Sequence, residues 1–151
     1  PADDRPHGAD CDGAVQPAIG ALLMRALLYA AIVASPSLTD VIPADRWIAG
    51  GSVDELPDRP FAVIRITDAP PSVSKSTQPR VGIWVHDNRG SYSRIDAVLG
   101  SLRTVLAAIV DVQDANNRIS CIEWTGDSPD LIDTDYNTNV RTASFVVTGR
   151  K

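Results

Sequence analysis

The spacing of apolar positions predicts four strands and two principal helices along this chain. Runs rich in β-branched and apolar residues predict strands at residues 61–67, 81–85, 118–124 and 139–148. Apolar residues recur at helical spacing in residues 15–33 and again in residues 95–109. Residues 38–48 predict only one or two short helical turns, interrupted by Pro43.

The segment around residues 81–96 shows how one strand passes into the second helix. The apolar strand pattern stops at a turn over residues 87–90, and helical spacing begins at Ile95. Ser93 and Asp96 are three residues apart, the spacing of a capping box in which the serine hydroxyl accepts a backbone N–H. The sequence therefore predicts a strand, a tight turn and a helix capped by Ser93.

The order of elements predicts an α+β fold. Helix, short helix, strand, strand, helix, strand and strand follow one another, which favours an antiparallel sheet of about four strands with two main helices on one face. Residues 1–14 are acidic and rich in Pro, Gly and Asp, so we predict a flexible N-terminal arm. Residues 15–151 are predicted to form a single α+β domain.

Residues 15–33 are apolar enough to be tested against a membrane span. Arg25 lies at the centre of this run, and the residues before it are acidic rather than basic. A stripe of apolar residues has helical spacing and consists of Ile19, Leu22, Leu23, Ala26, Leu27, Ala30 and Ala31. We therefore predict a buried helix and no membrane contact.

Residues 68–80 predict one long hairpin loop. The loop contains three prolines, four serine or threonine residues and no apolar periodicity. Connections beyond about 12 residues in a compact domain are usually functional or disordered. We expect a partner-binding surface there, made by Val73, Ser74, Lys75, Ser76, Thr77 and Arg80.

Charge and cysteine content bear on two kinds of site, a nucleic-acid surface and a metal site. A net charge of −5 with scattered basic residues argues against specific nucleic-acid binding, which needs clustered Lys and Arg. Cys11 and Cys121 form no metal-ligand spacing, and we predict that both are reduced thiols.

Candidate chemistry rests on His86, Asp87 and an acidic segment. The acidic residues Asp127, Asp130, Asp133 and Asp135 could bind a cation, but their spacing matches no calcium loop, and Asp is also a favoured turn residue. Hydrolase, phosphate-loop and zinc-protease motifs are absent from the sequence. We therefore predict no catalytic site, no cofactor and no metal.

Several motifs together resemble the tail terminator proteins of long-tailed bacteriophages. The residues that carry the resemblance are Arg59, Pro60, Phe61, Arg65, Trp84, His86, Asp87, Gly90, Tyr92, Arg94, Asp96, Asp127, Ser128 and Asp130. The resemblance implies an α+β virion subunit, assembled in the bacterial cytoplasm, that forms a ring, usually a hexamer, at the head-tail junction. Such a ring caps the tail tube, stops its polymerisation and offers a surface to the head-tail connector, and DNA passes through it.

Three alternatives remain open from the sequence. A head-side neck protein, such as a head completion or stopper protein, shares the small size and the ring assembly. A small metal-dependent hydrolase would use His86, Asp87 and the acidic segment. An unassigned binding module is the third alternative.

Overall fold

One seven-stranded sheet organises the computed structural model, which describes residues 21–49, 55, 57–67, 79–113 and 118–150. The strands are β1 (Trp47–Ala49), β2 (Phe61–Thr67), β3 (Arg80–Asp87), β4 (Val112–Gln113), β5 (Arg118–Asp127), β6 (Leu131–Asp133) and β7 (Thr138–Arg150). Their order across the sheet is β1-β2-β3-β7-β5-β4, and β6 also pairs with β7. All pairs are antiparallel except β1 with β2.

The central strand is β7. On one side it pairs with β3, and on the other it pairs first with β6 and then with β5. The short strand β6 therefore extends the line of β5 beside the start of β7.

The helices are α1 (Ala21–Val33), α2 (Pro36–Thr39) and α3 (Ser93–Ala107), and a single 3-10 turn covers Ala44–Arg46. Leu99 and Leu102 of α3 pack with Ile83 of β3 and Phe145 of β7 in one buried cluster, which also includes Leu28 of α1. Side chains alternate along a strand, so one face of the sheet carries this core. The core residues of the strands are Trp47, Ala62, Ile64, Val81, Ile83, Val85, Ile119, Ile122, Ala143, Phe145 and Val147.

The opposite face of the sheet carries the alternate residues. Arg65 of β2 lies opposite Gly82 of β3, and Gly82 lies opposite Ser144 of β7. Trp84 and His86 share this side with Gly82 because they lie two and four residues further along β3. No helix of the described residues contributes to this side, and we call it the helix-free face.

The α+β class and the four predicted strands are confirmed, but the predicted count of about four strands is wrong. The structure adds β1, β4 and β6, each of two or three residues. Such short strands are too brief to show a period of two, and β6 lies within a segment whose aspartates predicted turns. Neighbouring strands, rather than local pattern, define them.

The predicted helix in residues 15–33 is confirmed from Ala21 onward, but its buried side differs. Met24, Leu28 and Ile32 are fully buried, whereas Ala26 and Ala30 are exposed. The helix is apolar on most sides, so periodicity could not select the buried one. Residues 15–20 lie outside the described part, and no described helix is long and apolar enough to cross a membrane.

The predicted cap of the second long helix is wrong by one position. The residue at the N-cap is Tyr92, and it makes no side-chain cap hydrogen bond. Ser93 is the first helical residue, and its backbone N–H donates to Oγ of Ser91 at 3.2 Å. Ser91 therefore performs the role that the spacing assigned to Ser93.

Two further predictions concern loops and thiols. Antiparallel pairing of β2 with β3 confirms a hairpin, but Arg80 is the first residue of β3 rather than part of the loop.

Cys121 is disulfide-bonded in the structure, which corrects the prediction of a reduced thiol at that position. Cys11, the arm over residues 1–14 and loop residues 68–78 lie outside the described residues.

Candidate functional site

Most residues that carry the family resemblance meet at one end of the sheet. This end contains the last residues of β3, the turn into α3, the strand β6 and the start of β7. We call Arg59, Phe61, His86, Asp87, Arg94, Tyr136 and Thr138 the turn-end cluster. Its members come from distant parts of the chain. Phe61, His86, Tyr136 and Thr138 contact one another, Asp87 pairs with Arg94, and Arg59 donates to backbone carbonyl oxygens beside Tyr136.

His86 lies at the centre of the turn-end cluster. Its ring stacks on Phe61 with centroids 4.6 Å apart, and Tyr136 meets both rings edge-on. Its Nδ1 lies 2.9 Å from Oγ1 of Thr138. Burial, reinforced by the positive charges of Arg59 and Arg65 and partly offset by Asp133, lowers the pKa of His86 from 6.5 to about 4. The ring is therefore neutral at pH 7.

Asp87 fastens the strand end to the helix that follows. Nε and Nη2 of Arg94 donate to its two carboxylate oxygens, at 2.8 and 2.5 Å. The backbone N–H of Asn88 also donates to this carboxylate, at 2.7 Å. This hydrogen bonding raises the pKa of Arg94 further. The guanidinium group of Arg94 therefore offsets the charge of Asp87, whose side chain is only 5% exposed.

Arg59 joins the segment before β2 to the turn before β7. Its Nη2 and Nη1 donate to the carbonyl oxygens of Tyr136 and Asn137, at 2.5 and 3.1 Å. Pro60, which follows it through a cis peptide bond, is buried. These contacts hold the start of β2 against the turn-end cluster.

Arg141 of β7 connects α3 to the acidic segment. It donates to Asp96 at 2.5 Å and to the carbonyl oxygen of Ser128 at 3.1 Å, and it lies 3.5 Å from Asp130. Tyr92 donates its hydroxyl to the carbonyl oxygen of Leu131 at 2.8 Å. The resemblance motifs near residues 92–96 and 127–130 therefore meet in space.

The geometry of His86 and Asp87 argues against the hydrolase hypothesis. His86 is only 3% exposed and is enclosed by Phe61 and Tyr136, and both oxygens of Asp87 are engaged by Arg94. Neither side chain is positioned to reach a substrate. In the described part of the chain, no group of three or more His, Cys, Asp or Glu residues could hold a metal ion.

The remaining resemblance residues, Arg65, Trp84 and Asp127, line a groove on the helix-free face. The groove has a volume of about 610 Å³ and runs over β2, β3 and β7, with residues 125–128 at one side. We call it the basic groove. Its lining side chains include Arg65, Thr67, Arg80, Trp84, Thr125 and Ser144.

The floor of the basic groove depends on Gly82. A Cβ at this position would lie 2.4 Å from Cζ3 and 2.6 Å from Cη2 of Trp84, so only glycine lets the indole lie over the strand. The guanidinium carbon of Arg65 lies 5.2 Å from the centroid of that indole, which is cation-π geometry. An aromatic face and a positive charge therefore lie side by side.

The structure separates the predicted site residues into three groups. Those of the turn-end cluster and its neighbours come together, and Arg80 lines the basic groove with Arg65 and Trp84. Val73, Ser74, Lys75, Ser76 and Thr77 lie outside the described residues. Sequence reasoning missed the hydroxyl-bearing residues Thr67, Thr125 and Ser144, which lie in separate segments of the sequence and meet at the basic groove.

Comparison with known proteins yields a fold likeness. A chain of the virion of a native gene transfer agent particle is similar, with a TM-score of 0.62 over 82% of this chain and 92% of that chain. The two sequences are 12% identical, so the likeness concerns the fold. No protein-family model and no curated protein sequence matches this chain.

Proposed function

We propose that this chain is a structural subunit of a phage-type virion. The observation that carries the proposal is the fold shared with a virion chain, which spans most of both molecules. The enclosed positions of His86 and Asp87 also favour a structural role over a catalytic one.

The specific role that we propose is that of a tail terminator at the head-tail junction. In this role a ring of subunits, expected to be a hexamer, caps the tail tube, ends its polymerisation and offers a joining surface to the connector. Support comes from resemblance residues at the turn between β3 and α3, where Asp87 pairs with Arg94 and Asp96 pairs with Arg141. In a ring subunit these two ion pairs would hold the turn in one conformation.

The loop between β2 and β3 is the proposed tube-facing element. Ordering a polar loop costs about 1 to 2 kcal/mol per backbone residue, so contacts with a partner must offset that cost. Val73 would supply an apolar contact, and Ser74, Lys75, Ser76 and Thr77 would supply polar ones. Shortening the loop to a few residues should leave the melting temperature unchanged but abolish tube capping.

Electron microscopy of particles tests the role directly. Particles assembled without this protein should have tails of irregular excess length, and the wild-type protein should restore normal length. Tails of normal length that fail to join heads would contradict the terminator role and favour the head-side neck protein. Normal particles would contradict both.

A further inference from the structure

Most described arginines outside the basic groove have an oxygen acceptor, and Arg25, whose Nε is buried without a hydrogen-bond partner, is the exception. Outside the groove, the arginines at positions 46, 94, 103, 118 and 141 contact carboxylates, and those at positions 59 and 89 donate to amide or carbonyl oxygens. Arg65 and Arg80, both exposed, have no oxygen acceptor among the described residues. Within the described part of the chain, two guanidinium groups without a carboxylate partner therefore lie in one groove, although the net charge of the whole chain is −5.

The chemistry of the groove suits an acidic polypeptide that also carries apolar side chains. The guanidinium groups of Arg65 and Arg80 can each donate two hydrogen bonds to a carboxylate, and Trp84 offers an apolar face beside them. A polyanionic nucleic acid fits less well, because two arginines add little affinity and the net negative charge opposes it.

Residues 130–135 of this same chain have that composition. The segment reads Asp-Leu-Ile-Asp-Thr-Asp, and Leu131 and Ile132 are 43% and 50% exposed. Within the described part of the chain β6 pairs with no strand except β7, and the hydroxyl of Tyr92 donates to the carbonyl oxygen of Leu131. Asp130 makes only a 3.5 Å contact with Arg141, and Asp135 is exposed.

We infer that residues 130–135 of one subunit dock into the basic groove of the next subunit. Asp130 and Asp135 pair with Arg65 and Arg80, and an apolar side chain of β6 packs on Trp84. The contact joins the sheet edge of one copy to the sheet face of another, so it is heterologous and closes into a ring when the rotation between copies allows. This inference rests on the proposed ring and assigns its interface.

A charge-exchange experiment tests the interface. The groove variant carries Arg65→Glu and Arg80→Glu, and the segment variant carries Asp130→Arg and Asp135→Arg. Each variant alone should raise the concentration for half-maximal ring assembly at least tenfold by native mass spectrometry, since like charges then meet. An equimolar mixture should restore rings, because each reversed groove then receives a reversed segment and each native groove a native one.

Matched controls separate the interface from general charge effects. A double variant, Arg46→Glu with Asp58→Arg, exchanges the two charges of one ion pair outside both surfaces, and it should leave assembly within twofold of wild type. Melting curves of all variants verify folding, because the altered side chains of Arg65, Arg80 and Asp135 are exposed.

The outcomes discriminate the interface from the ring itself. If both variants form rings at the same concentrations as the wild type, the docking inference is overturned and the tail-terminator proposal is unaffected. A wild-type chain that remains monomeric at every concentration would overturn the docking as well, and the particle phenotype would then decide the proposed function separately. Loss of rings that the mixture does not restore would also contradict the docking.

Discussion

The imidazole of His86 lies almost parallel to the ring of Phe61, with centroids 4.6 Å apart and an angle of 7° between the planes. The two residues are direct partners across β2 and β3, so the sheet register places one ring on the other. Adding a proton to His86 would put a charge into this enclosed stack. The folded protein therefore resists protonation more strongly than the unfolded chain does.

Stability should fall in mild acid because of His86. The folded-state pKa is about 4, against 6.5 for an unperturbed histidine, so the unfolded state binds the proton first as pH falls. The contribution is complete above pH 6.5 and is lost as pH falls from there to about 4, a change of about 3 kcal/mol. Urea unfolding across this window measures it. His86→Gln should remove this part of the pH dependence, and an unchanged profile would contradict the assignment.

Replacing Arg94 should destabilise the protein through Asp87. Arg94→Ala would leave a buried carboxylate without its bidentate partner, at a cost of about 2 to 3 kcal/mol. Arg118→Ala is the matched control, since its partner Asp111 is 44% exposed and such pairs contribute about 1 kcal/mol or less. Chemical denaturation of both variants gives the comparison. Equal losses in the free energy of unfolding of the two variants would show that leaving Asp87 buried without its partner has no extra cost.

A methyl group at Gly82 should displace Trp84. Gly82→Ala places Cβ where the indole lies, so we expect a loss of about 1 to 2 kcal/mol and disruption of the Arg65 contact. In a Trp84→Ala background the same change should cost little, because the colliding ring is absent. A double-mutant cycle measured by thermal unfolding tests this coupling, and additive effects would refute it.

Capping of α3 should depend on Ser91 more than on Ser93. Ser91→Ala removes the oxygen that accepts the N–H of Ser93, with an expected cost of about 0.5 to 1 kcal/mol. Ser93→Ala keeps that backbone donor and its acceptor, so its melting temperature should stay closer to wild type. A larger loss of stability in Ser93→Ala than in Ser91→Ala would instead support the capping box that the sequence spacing predicted.

The local pattern of apolar residues was sufficient to predict the long helices and strands, but it could not predict the candidate site. The strands β2, β3, β5 and β7 have apolar runs that reveal them, and α3 has a clear stripe. The basic groove arises because the sheet register sets Arg65 opposite Gly82, a relationship between residues that are far apart in sequence. No local period contains that information.

Burial of polar side chains was equally inaccessible to sequence reasoning. His86 and Asp87 look like exposed chemistry at a strand end, yet both are buried. Their burial depends on Tyr136 and Arg94, which reach them from other elements. Polar residues can be buried when such partners satisfy them, and the partners become visible only in three dimensions.

The central place of β7 has a consequence for synthesis on the ribosome. The strand occupies residues 138–150, yet it covers one edge of β3, one edge of β5 and the paired edge of β6. A nascent chain that ends before β7 would expose the open edges of these strands, which are sites of aggregation. Translation must therefore pass residue 150 before the sheet closes, and we expect the emerging chain to need a chaperone until then.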